Sequence, residues 1–222
     1  MLFRSNDTAT GTGTFLAHVI DEIEDTVKTK PGTDWNQYVA EHLLPRLNGF
    51  ELMMAPYAVA HMKLGLKLRQ TGYDFASDER LRVFLTNTLE EPVEKHEALA
   101  LAGFLSKESD AAAQVKLQKP VTIIVGNPPY SKISANRGEY TEALLTSYKE
   151  AVRDETNLQP LSDDYLKFIA WSHQRIERTG WGILAMITNH SYLWGIIHRG
   201  VRQKIIEYFG VVQVRLTLCE YD

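Results

Sequence analysis

The sequence has only one cysteine, Cys219, and no long apolar run. A lone cysteine excludes an intrachain disulfide, a redox pair and a zinc site built from paired cysteines, and it favours a reducing compartment. No stretch reaches the roughly 18 apolar residues that a membrane-spanning helix needs, and the first residues lack the apolar core of a signal peptide. We therefore expect a cytoplasmic protein that makes no contact with a membrane.

Positive charge is also scarce. The 24 Lys and Arg residues face 28 Asp and Glu residues, which gives a net charge of −4. Neutralisation of phosphates supplies most nonspecific affinity for DNA, so a protein that binds DNA on its own is more often basic. We therefore expect this chain to bind DNA poorly by itself.

The composition otherwise matches an ordinary globular protein. Hydrophobic residues make up 44% of the 222 residues and charged residues 23%, which excludes a disordered or collagen-like chain. No internal repeat is present. This length is ample to bury a core, and we expect one domain over residues 1–222.

Segments with strand and helix periodicity alternate along the chain. Residues 121–125 are β-branched and continuous, the pattern of a strand buried on both faces of a parallel sheet. A second buried strand is predicted at 182–187, and the charged segment 106–110 is predicted to be solvated surface. Further strands are predicted at residues 1–3, 47–52, 81–85 and 211–218, with helices between the strands. This alternation predicts a doubly wound, mostly parallel α/β sheet.

A glycine-rich turn, residues 7–14, follows the first predicted strand and precedes a predicted helix. Gly11 and Gly13 would let the backbone approach a ligand closely at a helix N-terminus. The turn lacks the Lys-Ser/Thr ending of a phosphate-binding P-loop and the third glycine of the dinucleotide fingerprint, so alone it also fits a structural turn. Glu51, at the end of the next predicted strand, suits ribose hydroxyls, although a lone Glu there is more often solvated.

The strongest motif is Asn127-Pro128-Pro129-Tyr130, which directly follows the strand at 121–125. Two prolines lack backbone donors and fix two φ angles, so the strand must end in a stiff loop at the carboxyl edge of the sheet, where ligands bind. The Asn127 side-chain oxygen and the next carbonyl oxygen can both accept hydrogen bonds from one planar NH₂ group. That arrangement favours a tetrahedral nitrogen with a lone pair free to attack, and Tyr130 supplies a face for stacking a planar substrate.

In their order, these blocks resemble the signature of bacterial adenine-N6 DNA methyltransferases of restriction-modification and phage-defence systems. Residues 7–16, Glu51, residues 86–89 and residues 126–130 carry the resemblance, which extends to about Leu218. It is strongest to the large single-chain enzymes that join methylase, helicase-like and nuclease parts. The resemblance implies a Rossmann-like methyltransferase fold that uses S-adenosylmethionine (SAM) as its cofactor.

The resemblance also implies residue roles in the cofactor cleft. Asp7 would lie near the methionine end of SAM, Glu51 on its ribose and Asn87 near its adenine, a position where the family often has Asp. The full set of implied cofactor-binding residues is Asp7, Thr8, Ala9, Gly11, Gly13, Glu51 and Asn87.

The catalytic set implied by the resemblance is Asn127, Pro128, Pro129 and Tyr130. Asn127 and the Pro128 carbonyl would hold the N6 amino group of an adenine flipped from the duplex, and Tyr130 would stack on the base. The methyl group would pass by direct in-line displacement without a covalent intermediate. Cys219 is therefore not expected to be a nucleophile, and no metal is expected.

Family members usually carry a segment before the glycine loop that completes the SAM pocket, and a downstream target-recognition domain that reads bases. Only six residues precede Asp7, and the sequence stops soon after the last predicted strand, so we expect a truncated core that lacks both parts. DNA would then be bound through a separate recognition domain. We also expect a partner subunit or a second copy of the chain to cover the apolar surface left exposed.

Two alternative functions stay open. The first is a protein-glutamine N-methyltransferase, which uses the same Asn-Pro-Pro-Tyr chemistry on a similar planar amide. The second is a non-catalytic methyltransferase remnant that acts as an assembly module.

Overall fold

A computed structural model describes residues 3–92, 100–117, 120–131 and 134–215, without the side chains of 100–107. Its five strands are β1 (Ser5–Asp7), β2 (Leu47–Glu51), β3 (Arg82–Leu85), β4 (Ile123–Gly126) and β5 (Ile183–Met186). They form one sheet in the order β3-β2-β1-β4-β5, and every neighbouring pair is parallel. The predicted Rossmann-like, doubly wound parallel sheet is confirmed.

Helices connect the strands and cover both faces of the sheet. The α-helices are α1 (Thr14–Lys28), α2 (Trp35–Tyr38), α3 (Met54–Gln70), α4 (Ala100–Leu117), α5 (Glu139–Lys149), α6 (Asp164–Thr179), α7 (Ser191–Trp194) and α8 (Arg199–Tyr208). A π-helical turn (Val39–Leu43) extends α2, and 3₁₀ turns cover Glu150–Val152, Gln159–Ser162 and Ile196–His198. Within the described ranges, none of these helices combines the length and apolar character needed to cross a bilayer.

The central strand consists of polar residues. The sequence predicts a strand at residues 1–3; residues 1 and 2 lie outside the described residues, Phe3 is not part of a strand, and the paired segment is Ser5–Asp7. Asn6 and Asp7 are fully buried, because β1 pairs with β2 on one side and with β4 on the other. Backbone pairing on both edges satisfies the main-chain polar groups, and it holds the strand without apolar side chains.

The direction in which strands are added reverses at β1. The chain passes from β1 to β2 and β3 at one edge, then returns through α4 to place β4 against the other side of β1. Loops that leave the carboxyl ends of β1 and β4 therefore diverge to opposite faces. Such a switch point is where open α/β sheets form a ligand crevice.

Two hydrophobic clusters flank the sheet, as expected for strands buried on both faces. One contains Phe50, Phe84 and Ile124 with residues of α4, α5 and α6. The other contains Leu47 and Val83 with residues of α1, the α2 segment and α3. Alternate residues of β2 and β3 thus contribute to opposite clusters, which fixes the register of both strands.

The last predicted strands differ from the structure. Residues 211–215 form no strand, so the prediction for 211–218 is wrong there, and its end at 216–218 lies outside the described residues. In the described ranges β5 pairs with β4 alone, and Ile183 is 56% exposed, so β5 is an edge strand rather than a buried one. An apolar sequence cannot distinguish these two positions, because it does not report whether a neighbouring strand is present.

The prediction of a solvated segment at 106–110 is also wrong at Glu108. Its side chain is 2% exposed and accepts hydrogen bonds from both terminal nitrogens of Arg80, at 2.5 and 3.1 Å. This hydrogen-bonded pair raises the pKa of the Arg80 guanidinium. A buried carboxylate with a two-pronged arginine partner ties α4 to the chain segment before β3.

Close approach at the switch point requires glycine at position 126. A Cβ atom added to Gly126 would lie 2.6 Å from Thr8 Oγ1, and Thr8 is 1% exposed. We predict that Gly126→Ala lowers the free energy of unfolding by about 1–3 kcal/mol, as overpacking does elsewhere. Urea unfolding measures the change.

Two further variants identify the cause of that loss. Thr8→Ala removes the clashing hydroxyl, so the double variant Thr8→Ala/Gly126→Ala should recover part of the loss. Gly65→Ala, in the interior of α3 with open space around it, should stabilise by about 1 kcal/mol. Equal stability of Gly126→Ala and the wild-type chain would contradict the packing described for the switch point.

Candidate functional site

The residues singled out in the sequence meet at the carboxyl edge of the sheet. Asp7 ends β1 and Glu51 ends β2, while Asn87 follows β3 and Asn127 follows β4. Hydrogen bonds join the loop after β1 to β4 and to the loop after β3: the Thr8 N–H donates to Val125 O at 3.1 Å, and the Thr8 carbonyl accepts the Thr88 hydroxyl at 2.6 Å. The structure therefore brings the two predicted sets of residues together.

The glycine loop turns sharply from β1 into α1. Gly11 and Gly13 have φ angles of +55° and +80°, in the left-handed region that side chains disfavour. Thr10 N donates to Phe50 O at 3.0 Å, and Gly13 N donates to Thr10 O at 2.9 Å. The loop is thereby attached to β2 and leads directly to the N-terminus of α1.

Glu51 acts as a clamp on this loop. One carboxylate oxygen accepts the Gly11 N–H and the other accepts the Met53 N–H, both at 2.8 Å. Each carboxylate oxygen has a second lone pair, so the group can still accept hydrogen bonds from a ligand. The predicted ribose acceptor thus also shapes the turn beside it.

Asp7 is a buried acid with one oxygen in use. Its Oδ1 accepts the Ala9 N–H at 3.2 Å, whereas Oδ2 is buried and finds no hydrogen-bond partner among the described residues. Burial raises the pKa of Asp7 to about 7, and the nearby Glu51 carboxylate adds to the rise. The hydroxyl of Thr8, also buried, likewise has no partner in the described part of the chain. Unpartnered buried polar atoms of this kind favour a ligand or water at the cleft.

Lys116, a buried residue of α4, holds the loop after β3 by hydrogen bonds. Its ammonium group donates to Thr86 Oγ1 at 3.0 Å and to the Asn87 carbonyl at 2.6 Å. Burial lowers the pKa of Lys116 to about 8. Sequence reasoning missed this residue, because a single lysine in a charged helix gives no sign that it points inward.

The Asn-Pro-Pro-Tyr loop presents its two polar side chains to solvent. Asn127 is exposed, Pro128 is buried, and Tyr130 is 51% exposed. The Tyr130 hydroxyl donates to Asn127 Oδ1 at 3.1 Å, and the ring packs edge-on against Tyr165 with 6.3 Å between centroids. The buried proline anchors the loop while Asn127 and the tyrosine face stay accessible.

The carboxyl edge of the sheet carries three side chains with oxygen acceptors. The carboxylates of Asp7 and Glu51 and the amide oxygen of Asn127 suit ammonium, hydroxyl and amino groups respectively. Among the described side chains, no group of three His, Cys, Asp or Glu residues could hold a metal ion.

Comparison with known proteins finds one matching family model and several similar solved structures. A family model described as Eco57I restriction-modification methylase matches residues 48–215, a range that includes Glu51, Asn87 and the Asn-Pro-Pro-Tyr loop. No curated protein matches the chain.

Three solved structures are similar over almost the whole chain. A DrdV–DNA complex is 25% identical with a TM-score of 0.70, over 93% of this chain and 19% of that chain. A nuclease-deletion mutant of the Type ISP restriction-modification enzyme LlaGI, in complex with a DNA substrate mimic, is 22% identical with a TM-score of 0.75, over 93% and 17%. The DNA-bound, ATP-dependent Type ISP enzyme LlaBIII is 24% identical with a TM-score of 0.74, over 92% and 14%. The chain thus spans less than a fifth of each of these proteins, and the last two likenesses concern the fold alone.

The raised pKa of Asp7 predicts an unusual pH dependence of stability. The folded state keeps the Asp7 proton up to about pH 7, whereas the ordinary value is 3.8, so the folded state binds more protons between these values. This group's contribution to the free energy of unfolding therefore falls as pH rises, by at most about 1.4 kcal/mol per unit.

Urea unfolding of the wild-type chain and of Asp7→Asn across this pH interval measures the effect. The stability of the wild-type chain relative to Asp7→Asn should fall up to about pH 7 and then level off. Asp25→Asn, on the exposed surface of α1, is the charge-matched control. A constant or rising difference for Asp7→Asn would contradict a buried, protonated Asp7.

Proposed function

We propose that this chain, which belongs to the Eco57I restriction-modification methylase family, transfers a methyl group from SAM to the N6 amino group of adenine in DNA. The main support is the position of Asn127, an exposed amide acceptor at the carboxyl end of β4. It lies across the switch point from Asp7, whose Oδ2 has no partner among the described residues, and from Glu51. One cleft thus offers acceptors for a cofactor, and the adjoining loop offers acceptors for an amino group.

The cleft residues fit the proposed cofactor. The buried Asp7 Oδ2, which finds no partner among the described residues, can accept from an ammonium group such as the one at the methionine end of SAM. Glu51 keeps lone pairs for ribose hydroxyls beside its two backbone contacts, and Asn87 would contact the adenine. Thr8, Ala9, Gly11 and Gly13 would form the wall of the cleft. When bound, SAM supplies an electrophilic methyl group.

Asn127 and its loop would prepare the target nitrogen. The two N–H groups of the adenine amino group would donate hydrogen bonds to the Asn127 amide oxygen and the Pro128 carbonyl, which directs the nitrogen lone pair out of the ring plane. Tyr130 orients Asn127, because its hydroxyl donates to one of the two acceptor sites on that oxygen. The half-exposed Tyr130 ring would stack on the flipped base, and the stiff Pro128-Pro129 pair would keep these groups in place.

Other parts of a longer enzyme would supply specificity. The chain carries a net charge of −4, which disfavours phosphate binding. We expect DNA to be engaged through a separate recognition domain or a partner subunit, in the cytoplasm that the single cysteine favours.

Asn127→Ala tests the role of the amide. We predict that methyl transfer to adenine falls by about 10²–10³-fold, the usual loss when one group that stabilises a reacting centre is removed. Binding of S-adenosylhomocysteine should be unchanged, because Asn127 lies outside the cofactor cleft. Tyr130→Phe keeps the stacking face and should lose less than Tyr130→Ala. Transfer of a tritiated methyl group to a DNA duplex measures the rates, with Asn157→Ala as a remote asparagine control.

Competing acceptors separate the proposal from its alternatives. With a DNA duplex and a peptide release factor supplied together, the label should appear on adenine. Label on a glutamine amide of the release factor would instead show that the chain is a protein-glutamine N-methyltransferase. If neither SAM nor S-adenosylhomocysteine raises the melting temperature, and no label reaches DNA even with a partner supplied, the proposal is wrong.

A second candidate is an assembly module, and the outer face of α3 favours it. Large apolar side chains are exposed along this helix and the residues before it: Leu52, Met53, Met54, Val59, Met62 and Leu66. An apolar patch of this kind usually marks a surface that another protein covers.

Light scattering tests whether that other protein is a second copy of the chain. We predict a mass above the 25.2 kDa of one chain, reduced to one chain by Leu66→Lys. A monomer at all concentrations, unchanged by the substitution, would exclude self-association through α3.

A further inference from the structure

Residues 131 and 134–136, which follow the Asn-Pro-Pro-Tyr loop, are held by Asp163 and Asp164 at the N-terminus of α6. Ser131 donates its amide to Asp163 Oδ1 at 3.0 Å. The Ser134 hydroxyl and the Asn136 side-chain Nδ2 both donate to Asp164 Oδ1, at 2.5 and 3.2 Å. Two adjacent carboxylates therefore bind the start and the end of this segment.

A buried lysine completes the attachment. The ammonium group of Lys167 is fully buried, donates to Ser134 Oγ at 2.7 Å and to the Asn136 carbonyl, and lies 3.7 Å from Asp164 Oδ1. Burial lowers the pKa of Lys167, and the Asp164 carboxylate opposes that shift. Leaving a buried charge without its partners is costly, so Lys167 holds Ser134 and Asn136 in position.

Asn136 also reaches the loop after β3. Its Oδ1 accepts a hydrogen bond from Asn87 Nδ2 at 2.8 Å. Asn87 is constrained on its other sides as well, because its Oδ1 accepts the Leu89 N–H at 3.0 Å and its carbonyl accepts from Lys116. The plane of the Asn87 amide is thus set: one N–H donates to Asn136, and the second N–H, which has no partner among the described residues, can serve a ligand.

We propose that Asn136 is a positioning residue that orients the Asn87 amide for the cofactor and so couples the cofactor cleft to the loop that carries Tyr130. This inference rests on the proposed function, since it takes Asn87 as a cofactor contact. Coupling of this kind is reciprocal: a ligand that engages Asn87 in this orientation also stabilises Asn136 and the segment behind it.

A double-mutant cycle tests this coupling, with S-adenosylhomocysteine as the probe and calorimetry as the measurement. The four proteins are the wild-type chain, Asn87→Ala, Asn136→Ala and the double variant. Asn136→Ala should weaken binding roughly 5- to 10-fold in the wild-type background and less than about 2-fold in the Asn87→Ala background. Asn157→Ala, an exposed asparagine that accepts only a local N–H bond from Gln159 in the described structure, should bind as the wild-type chain does.

Each other outcome overturns the inference. An equal loss in both backgrounds would show a merely structural role for Asn136, and no loss in the wild-type background would show no role in binding. If the wild-type chain itself fails to bind the probe, the proposed function fails and the inference with it. Binding by the wild-type chain with an additive cycle defeats the inference alone.

Hydrogen exchange of the wild-type chain gives a second readout that needs no variant to fold. Addition of S-adenosylhomocysteine should slow exchange of the amides at 134–136 together with those at 86–89. Protection confined to 86–89 would contradict coupling between the two loops.

Discussion

The pairing of β1 with β2 on one side and β4 on the other is the constraint on which the candidate site depends. Through this pairing the acid at the end of β1 lies beside both the glycine-loop clamp and the Asn-Pro-Pro-Tyr loop. The hydroxyl of Thr8 then lies so close to Gly126 that a Cβ atom there would clash. Any disturbance of β1 would therefore move both halves of the proposed site at once.

Oxygen acceptors explain most of the chemistry that the edge can support. Asp7 is held in a buried setting that raises its pKa to about 7, so a cationic group in the cleft would favour its ionised form. Glu51 is already committed to the turn at Gly11, which links the shape of the cleft to its ligand-binding group. Two buried lysines fix neighbouring parts of the chain: Lys116 donates to the loop after β3, and Lys167 donates to Ser134 and Asn136.

The order of the elements and the position of the motifs could be predicted from local patterns. The glycine turn, the acid at 51 and the proline pair each lie where a strand ends, and strand ends are visible in hydrophobicity and β-branching. The central strand was predicted a few residues too early, because its burial comes from pairing with two neighbours, which polar Ser5, Asn6 and Asp7 do not reveal. Inward-pointing charges such as Glu108 and Lys167 were missed for a related reason, since their partners are distant in sequence.

The most direct test of this account is an NMR titration of the ¹⁵N-labelled chain with S-adenosylhomocysteine. If the cofactor cleft lies at the carboxyl ends of β1, β2 and β3, the amide signals of Gly11, Gly13 and Asn87 should shift most, with saturable dependence on the ligand. Signals of Val59, Met62 and Leu66 on the outer face of α3 should stay in place. Shifts confined to other surfaces, or no shifts at all, would contradict the proposed cleft.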